Sequence, residues 1–284
     1  MSTAVLRTPN DAVFVVPAGA CDCHVHAYDD AYPLAPTATF KPPHAPMADY
    51  AKVQANLGFT RVVVVQPTGY GFDNRCTLAA VASMAGQARA VAMVPPDVTQ
   101  ATLQDLHAAG VRGVRMMMLT GGLLGWDDLA PLALKIKDWG WHLNVQFNGC
   151  EFVQRLPLLQ GLDVRLVVDH TGKFLVPPNS TDDVAFQALC RLLDTGRVWV
   201  KLSAPYETSR TGAPRYEDVS LLARYLATNY PERCLWASNW PHPNQNPVPS
   251  SVALLNLLPL WVSRTADIRR VLVDNPAQVY DFQA

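Results

Sequence analysis

Eight short runs of β-branched and aliphatic residues, separated by stretches with helical spacing, constrain this chain more than any other feature. They fall at residues 20–26, 61–66, 89–94, 113–117, 142–147, 165–169, 198–202 and 233–237. Several are almost continuously apolar (RVVVVQ, RAVAMV, RLVVD, VWVKL) rather than alternating. A strand reads that way when it is buried on both faces, as in a parallel sheet covered by helices. The intervening segments predict helices over 47–57, 74–86, 99–109, 126–139, 151–160, 182–195 and 216–229. Thr99 and Asp182 are placed to cap two of these at their N-termini. Gly58, Gly86, Gly110, Gly140 and Gly196 each follow one, where a left-handed stop costs glycine least. This alternation predicts an α/β fold of the (β/α)8 barrel type, a single domain over 1–284 with residues 1–19 as an N-terminal extension. An open doubly wound sheet is disfavoured, because no strand is followed by GxGxxG or GxxxxGK[ST]. The Pro-rich stretches 33–46 and 241–249 are expected to wall or cover one end of the barrel.

Composition removes other classes. Hydrophobic residues make up 49% and charged residues 17%, the reverse of a disordered chain. Lys and Arg number 23 against 24 Asp and Glu, a formal charge of −1, so no bulk electrostatic attraction to nucleic acid or anionic membrane is expected. No apolar run reaches the ~18 residues that span a bilayer. The stretch AVFVVPAGA at 12–20 resembles a signal peptide only weakly, since Pro17 interrupts it and Asp11 precedes it. A cytoplasmic location is expected, and six Cys without a CxxC pair fit reduced thiols there. Oligomeric state is left open, as no heptad or edge strand is identifiable.

In a barrel of this type, chemistry sits where strands end and the following loops begin. The first strand ends in Asp22-Cys23-His24-Val25-His26. Strict alternation would put Asp22, His24 and His26 on one face and Cys21, Cys23 and Val25 on the other. The second strand is followed by Thr68 and Tyr70. The fourth carries Arg112 and Arg115, the fifth Gln146 and Asn148, the sixth Asp169, His170 and Lys173. The seventh carries Lys201 and Ser203, followed by Tyr206 and Arg210, and the eighth ends in Asn239-Trp240-Pro241-His242. An H-x-H pair alone means little, and single His or Arg residues are usually structural or solvated. The joint placement carries more: four of seven His fall at the C-terminal ends of three predicted strands. His44, His107 and His142 read as structural or surface. Three imidazoles, His24, His26 and His170, suit either a divalent metal such as Zn or Mn, or polarisation of a substrate carbonyl. A general base is missing at strand eight, because the neutral amide of Asn239 does not accept a proton at neutral pH. Arg115, on a strand rich in Met, needs an anionic partner or substrate.

The segments DCHVH (22–26), VVVQPTGYGFDN (63–74), VRGVRM (111–116), VVDHTGK (167–173), VKLSAPY (200–206) and LWASNWPHP (235–243) together resemble the amidohydrolase superfamily. Within it they resemble the branch of 2-pyrone-4,6-dicarboxylate lactonases and D-galactarolactone isomerases. The resemblance implies a distorted (β/α)8 barrel opening an anionic lactone of the pyrone-dicarboxylate, muconolactone or sugar-acid type by water attack. Superfamily metal ligands come from the first-strand H-x-H, fifth- and sixth-strand His and an eighth-strand Asp. His24, His26 and His170 match, whereas Gln146 or Asn148 and Asn239 depart, which fits a branch known to work without a metal. By analogy the three His polarise the lactone carbonyl, while Arg115, Lys173 and Arg210 pair with substrate carboxylates. Thr68, Tyr70, Gln146 and Tyr206 contact the rest of the ring, and His242 orients the eighth-strand side chain or lines the pocket. Asn239, as either an introduced Asp→Asn exchange or a natural variant, predicts little hydrolysis; its intact neighbours favour the former. Alternatives are a lactone isomerase, a metal-dependent amidohydrolase or decarboxylase, and a non-catalytic dicarboxylate binder.

Overall fold

The computed structural model describes residues 14–283, so the segment 1–13 of the expected extension lies outside the described residues. Eight strands run parallel in chain order: β1 (Cys21–Val25), β2 (Arg61–Val65), β3 (Ala88–Ala92), β4 (Val111–Met117), β5 (His142–Gln146), β6 (Arg165–Val168), β7 (Val198–Ser203) and β8 (Cys234–Ala237). The ring is drawn together beyond β8. Val25 forms a parallel bridge with Trp240, the His26 amide donates to Trp240 O at 2.8 Å, and the Asn239 amide donates to His24 O at 3.0 Å.

The continuous apolar runs have the cause inferred for them. Val63 and Val65 of β2 join the barrel interior, whereas Val62 and Val64 pack in the layer under the helices. That layer includes α1 (Met47–Leu57), α2 (Arg75–Ala82), α3 (Gln100–Ala108), α4 (Leu129–Ile136), α5 (Phe152–Gly161), α6 (Val184–Leu193) and α7 (Glu217–Asn229). Thr99 caps α3 as expected, accepting from the Thr102 amide at 3.1 Å. The cap of α6 is Asp183 rather than Asp182, with Oδ1 accepting from the amides of Ala185 and Phe186. Gly58, Gly86, Gly110, Gly140 and Gly196 all have positive φ. Beyond β8 lie α8 (Ser251–Leu255), α9 (Leu258–Trp261), α10 (Thr265–Arg269) and α11 (Asn275–Tyr280). These four are short, and Pro259 and Pro276 sit within them, so no sustained 3.6-residue period announced them. No helix among the described residues is long and apolar enough to cross a membrane.

The last turn plugs the N-terminal end of the barrel. Tyr280 and Phe282 pack with Cys21, Cys23, Val63, Trp199 and Leu235. The guanidinium carbons of Arg61 and Arg89 lie 5.4 and 4.8 Å from the Phe282 ring centroid. The His142 ring meets Tyr280 edge to face at 5.2 Å. Gly113 makes room for that imidazole, since a Cβ there would stand 2.5 Å from it. All six cysteines are free.

Candidate active site

Strand alternation fails in β1, and the failure builds the site. The β1–β2 register shifts between Asp22 and Val25, as at a β-bulge. Cys21 and Cys23 therefore face the barrel interior, and Asp22 does not share a face with His24 and His26 as strict alternation predicted. Its carboxylate instead takes Tyr50 Oη of α1 at 3.0 Å and the Ser238 amide at 2.9 Å. Beyond the bulge the two imidazoles turn inward together, with Nε2 of His24 and His26 at 3.2 Å. The His170 ring lies 5.1 Å from that of His24. The three imidazoles singled out in the sequence thus meet.

Their hydrogen bonds fix their tautomers. His26 Nδ1 lies 2.7 Å from Val65 O, so it carries the proton. Burial, with Arg115 nearby, holds His26 neutral, its pKa pushed down to about 3. Nε2 is then a lone pair, and His24 must donate to it through its own Nε2–H. His24 is also held well below the usual imidazole range by burial and by Lys201. Its Nδ1 accepts from Lys201 Nζ at 3.0 Å. The same ammonium donates to Asn144 Oδ1 at 2.5 Å and lies 3.0 Å from Asp169 Oδ1. All four side chains are fully buried. Burial alone would raise Asp169, but the Lys201 ammonium outweighs it and holds the carboxyl well below its usual range. His170 places Nδ1 2.9 Å from Ser203 Oγ, and burial keeps it neutral.

Above this layer is a cavity of ≈ 310 Å³, within the range of small-ligand pockets. His26, Thr68, Arg115, Gln146, His170, Lys173 and Asn239 line it. Its outer wall comes from both Pro-rich loops, through Thr39 and Phe40 and through Pro243, Asn244 and Gln245. His24 lies beneath rather than in the lining. Arg115 is 5% exposed and is held by Gln66 O at 2.7 Å and Gln146 Oε1 at 3.2 Å. Its Nε is buried without a partner. Burial pushes the Lys173 ammonium down to about 8.

Three expected ligand contacts, those of Tyr70, Arg210 and Tyr206, are not made. Tyr70 Oη accepts from the Asp29 amide at 2.9 Å and donates to Asp29 O, so the ring ties down the loop after β1 instead of facing the cavity. Arg210 is exposed, because Asp218 gathers Ser209 Oγ, the Arg210 amide and Thr211 Oγ1 and turns that loop outward. Tyr206 and His242 act behind the lining. His242 Nδ1 meets Tyr206 Oη at 2.9 Å and its Nε2 meets Ser251 Oγ at 3.0 Å. Burial pushes His242 down to about 4. The Asn239 amide in turn donates to Tyr206 Oη at 2.9 Å, so His242 orients Asn239 through Tyr206.

Sequence reasoning missed the residue on the other side of that amide. Asn239 Nδ2 also donates to Glu207 Oε1 at 2.8 Å, and Glu207 pairs with Lys173 through its other oxygen. Glu207 lies on a 3₁₀ turn (Pro205–Glu207) after β7, where strand periodicity says nothing. Asp169 and Lys201 stand at strand ends, but a buried charge pair has no signature in a single sequence. Backbone strain collects at the same rim. His170, Thr171, Lys173, Ala204, Asn239 and His242 all have φ between 45° and 61°, a region that costs a non-glycine residue of order 1–3 kcal/mol.

The donor set does not fit the divalent metal the superfamily pattern implies. His24, Asp169 and His170 offer ligand atoms within 4.8 Å of one another. The Lys201 ammonium already stands against two of them and neutralises their one carboxylate. At the two remaining positions, Gln146 Oε1 accepts from Arg115, and Asn239 offers an amide instead of a carboxylate.

Residues 21–282 match the amidohydrolase family. The chain is 35% identical over 277 residues to a D-galactarolactone isomerase of Agrobacterium fabrum, covering 96% of this chain and 93% of that protein. It is 35% identical over 289 residues to a 2-pyrone-4,6-dicarboxylate hydrolase of Comamonas testosteroni, with the same coverage. A crystal structure from Agrobacterium tumefaciens without ligand superposes with a TM-score of 0.91 at 35% identity, covering 97% of this chain and 99% of that one.

Proposed function

This chain belongs to the amidohydrolase family, and we propose that it opens the ring ester of a carboxylated lactone without a divalent metal. One observation carries the reading: neutral His170, Arg115 and Lys173 converge on one small cavity. His170 Nδ1 is engaged by Ser203, which leaves Nε2 to meet a ligand. A lactone carboxylate beside Arg115 and Lys173 would gain charge-assisted hydrogen bonds. The carbonyl oxygen, gaining negative charge on attack, would lie among these fixed positive groups. Lys201, buried against Asp169 and His24, supplies a cation where other barrels of this type would need a metal, which supports the metal-free reading.

The acyl acceptor is water in the first reading, which gives hydrolysis. The relatives named as hydrolases support it. A second reading, transfer to a hydroxyl of the substrate itself, gives an isomeric lactone. Asn239 favours it, because an amide at strand eight holds a hydroxyl without deprotonating water; so does the isomerase relative. Incubating the protein with pyrone-dicarboxylate, sulfonated muconolactone and aldarolactone substrates, and weighing the products by mass spectrometry, separates the two. Hydrolysis adds one water and isomerisation adds nothing. Turnover of none of them, with no ligand-induced rise in Tm, would refute the lactone reading.

A further inference from the structure

We infer that Glu207 is the group that takes the proton from the attacking hydroxyl, a role that Asn239 cannot fill at strand eight. The inference rests on the lactone reading above.

Three observations carry it. Glu207 lines the same cavity as His170 and Arg115, its side chain 17% exposed, so a ligand can reach it. Its Oε1 is one hydrogen bond, 2.8 Å, from the Asn239 amide, which puts a carboxylate beside the eighth-strand position. The amide's orientation is settled by that contact: nitrogen faces the carboxylate, and Asn239 Oδ1 is left buried with no partner. Asn239 lines the same cavity and its amide nitrogen holds the Glu207 carboxylate there, so that Glu207 can receive the proton. An Asp at 239 would set two carboxylates in this contact, a like-charge pair in which one is protonated. Asn239 is therefore the complement of Glu207, which favours the amide as the site's own residue. Lys173 pairs with the far oxygen of Glu207 and holds the carboxylate at the cavity wall.

The step balances without an added reagent. The hydroxyl oxygen of water or of the substrate forms a bond to the lactone carbonyl carbon, and its proton passes to Glu207. The tetrahedral intermediate then expels the ring oxygen, which takes the proton back from Glu207. Water as acceptor gives the hydroxy acid, and an internal hydroxyl gives the isomeric lactone.

The test is a steady-state comparison of wild type, Glu207→Gln, Glu207→Ala and the double variant Glu207→Gln/Asn239→Asp on whichever lactone the wild type turns over. Tm is measured for each to confirm folding. A general base contributes ~10²–10⁴-fold, so kcat of Glu207→Gln is expected to fall by about that factor with KM changed by less than about threefold. Added formate should restore kcat of Glu207→Ala by about tenfold or more, and Asn239→Asp should recover part of the loss in the double variant. A Glu207→Gln enzyme that keeps most of its kcat, or changes in KM alone, overturns the inference and leaves Glu207 as the holder of Lys173. So does a folded Glu207→Ala that formate does not rescue. Wild-type inactivity on every lactone overturns both this inference and the reading it rests on.

Discussion

Lys201 Nζ and His24 Nδ1 stand 3.0 Å apart with both side chains fully buried, an ammonium bonded to an imidazole lone pair. The contact sets the direction of the chain of bonds above it, from Lys201 through His24 and His26 to Val65 O. It also places a fixed charge where a divalent ion would compete for the same donors. Chelator treatment is therefore expected to leave both Tm and activity of the purified protein unchanged. Lys201→Met strands the Asp169 carboxylate in the interior, a loss of the order of 3–5 kcal/mol that thermal or urea unfolding would register. Activity lost on chelation and regained with zinc would contradict this account.

Arg115 is the cation best placed for a substrate carboxylate, because it lines the cavity and its guanidinium is braced by Gln66 O and Gln146 Oε1. Arg115→Met should raise KM by about 10–100-fold, the equivalent of roughly 1.5–3 kcal/mol for a hydrogen bond to a charged group. The effect should shrink for an ester lacking that carboxylate. Equal losses on the charged and the neutral substrate would mean that the guanidinium holds the barrel rather than the ligand.

Stability should fall on acidification through the histidine range. His24, His142 and His170 are held well below their ordinary range chiefly by burial, and His26 and His242 are pushed to about 3 and 4. The unfolded chain takes up these protons near pH 6.5 while the folded chain does not. The stability is therefore present above that pH and is lost below it, by ~1.4 kcal/mol per pH unit for each proton. Asp22, raised to about 6 by burial, acts in the opposite sense but is a single group. Tm measured from pH 7 to pH 4 should drop steeply, and a flat profile would show that these imidazoles are charged or solvated.

Gly113 should not tolerate a side chain. Gly113→Ala sets a Cβ 2.5 Å from His142, whose ring is boxed in by Tyr280. Overpacking of this kind costs typically ~1–3 kcal/mol, readable as a lowered denaturation midpoint. Wild-type stability would mean that the imidazole can leave the barrel interior.

The barrel was legible because burial on both faces writes itself into a strand as an unbroken apolar run. The site was legible where residues sat at strand ends: His24, His26, His170, Arg115, Gln146, Lys173 and Asn239 come together as their positions implied. What periodicity could not foresee was the bulge in β1, a one-residue slip that sends Asp22 to Tyr50. Loop residues were read least well. Tyr70, Tyr206 and Arg210 look like ligand contacts but are spent on Asp29, on Asn239 and His242, and beside Asp218, while Glu207 sits in a turn that strand periodicity does not reach. Their direction is set by hydrogen bonds made across the fold, which a single sequence does not record.

Tyr280 and Phe282 fill the floor of the barrel with side chains that come after every strand in the chain. A nascent polypeptide that has made all eight strands still has an open well where these two rings belong, with Cys21, Val63 and Trp199 exposed to water from below. Assembly of the interior therefore waits for residues some forty positions past the last strand. Deleting only a handful of them should cost far more than their number suggests.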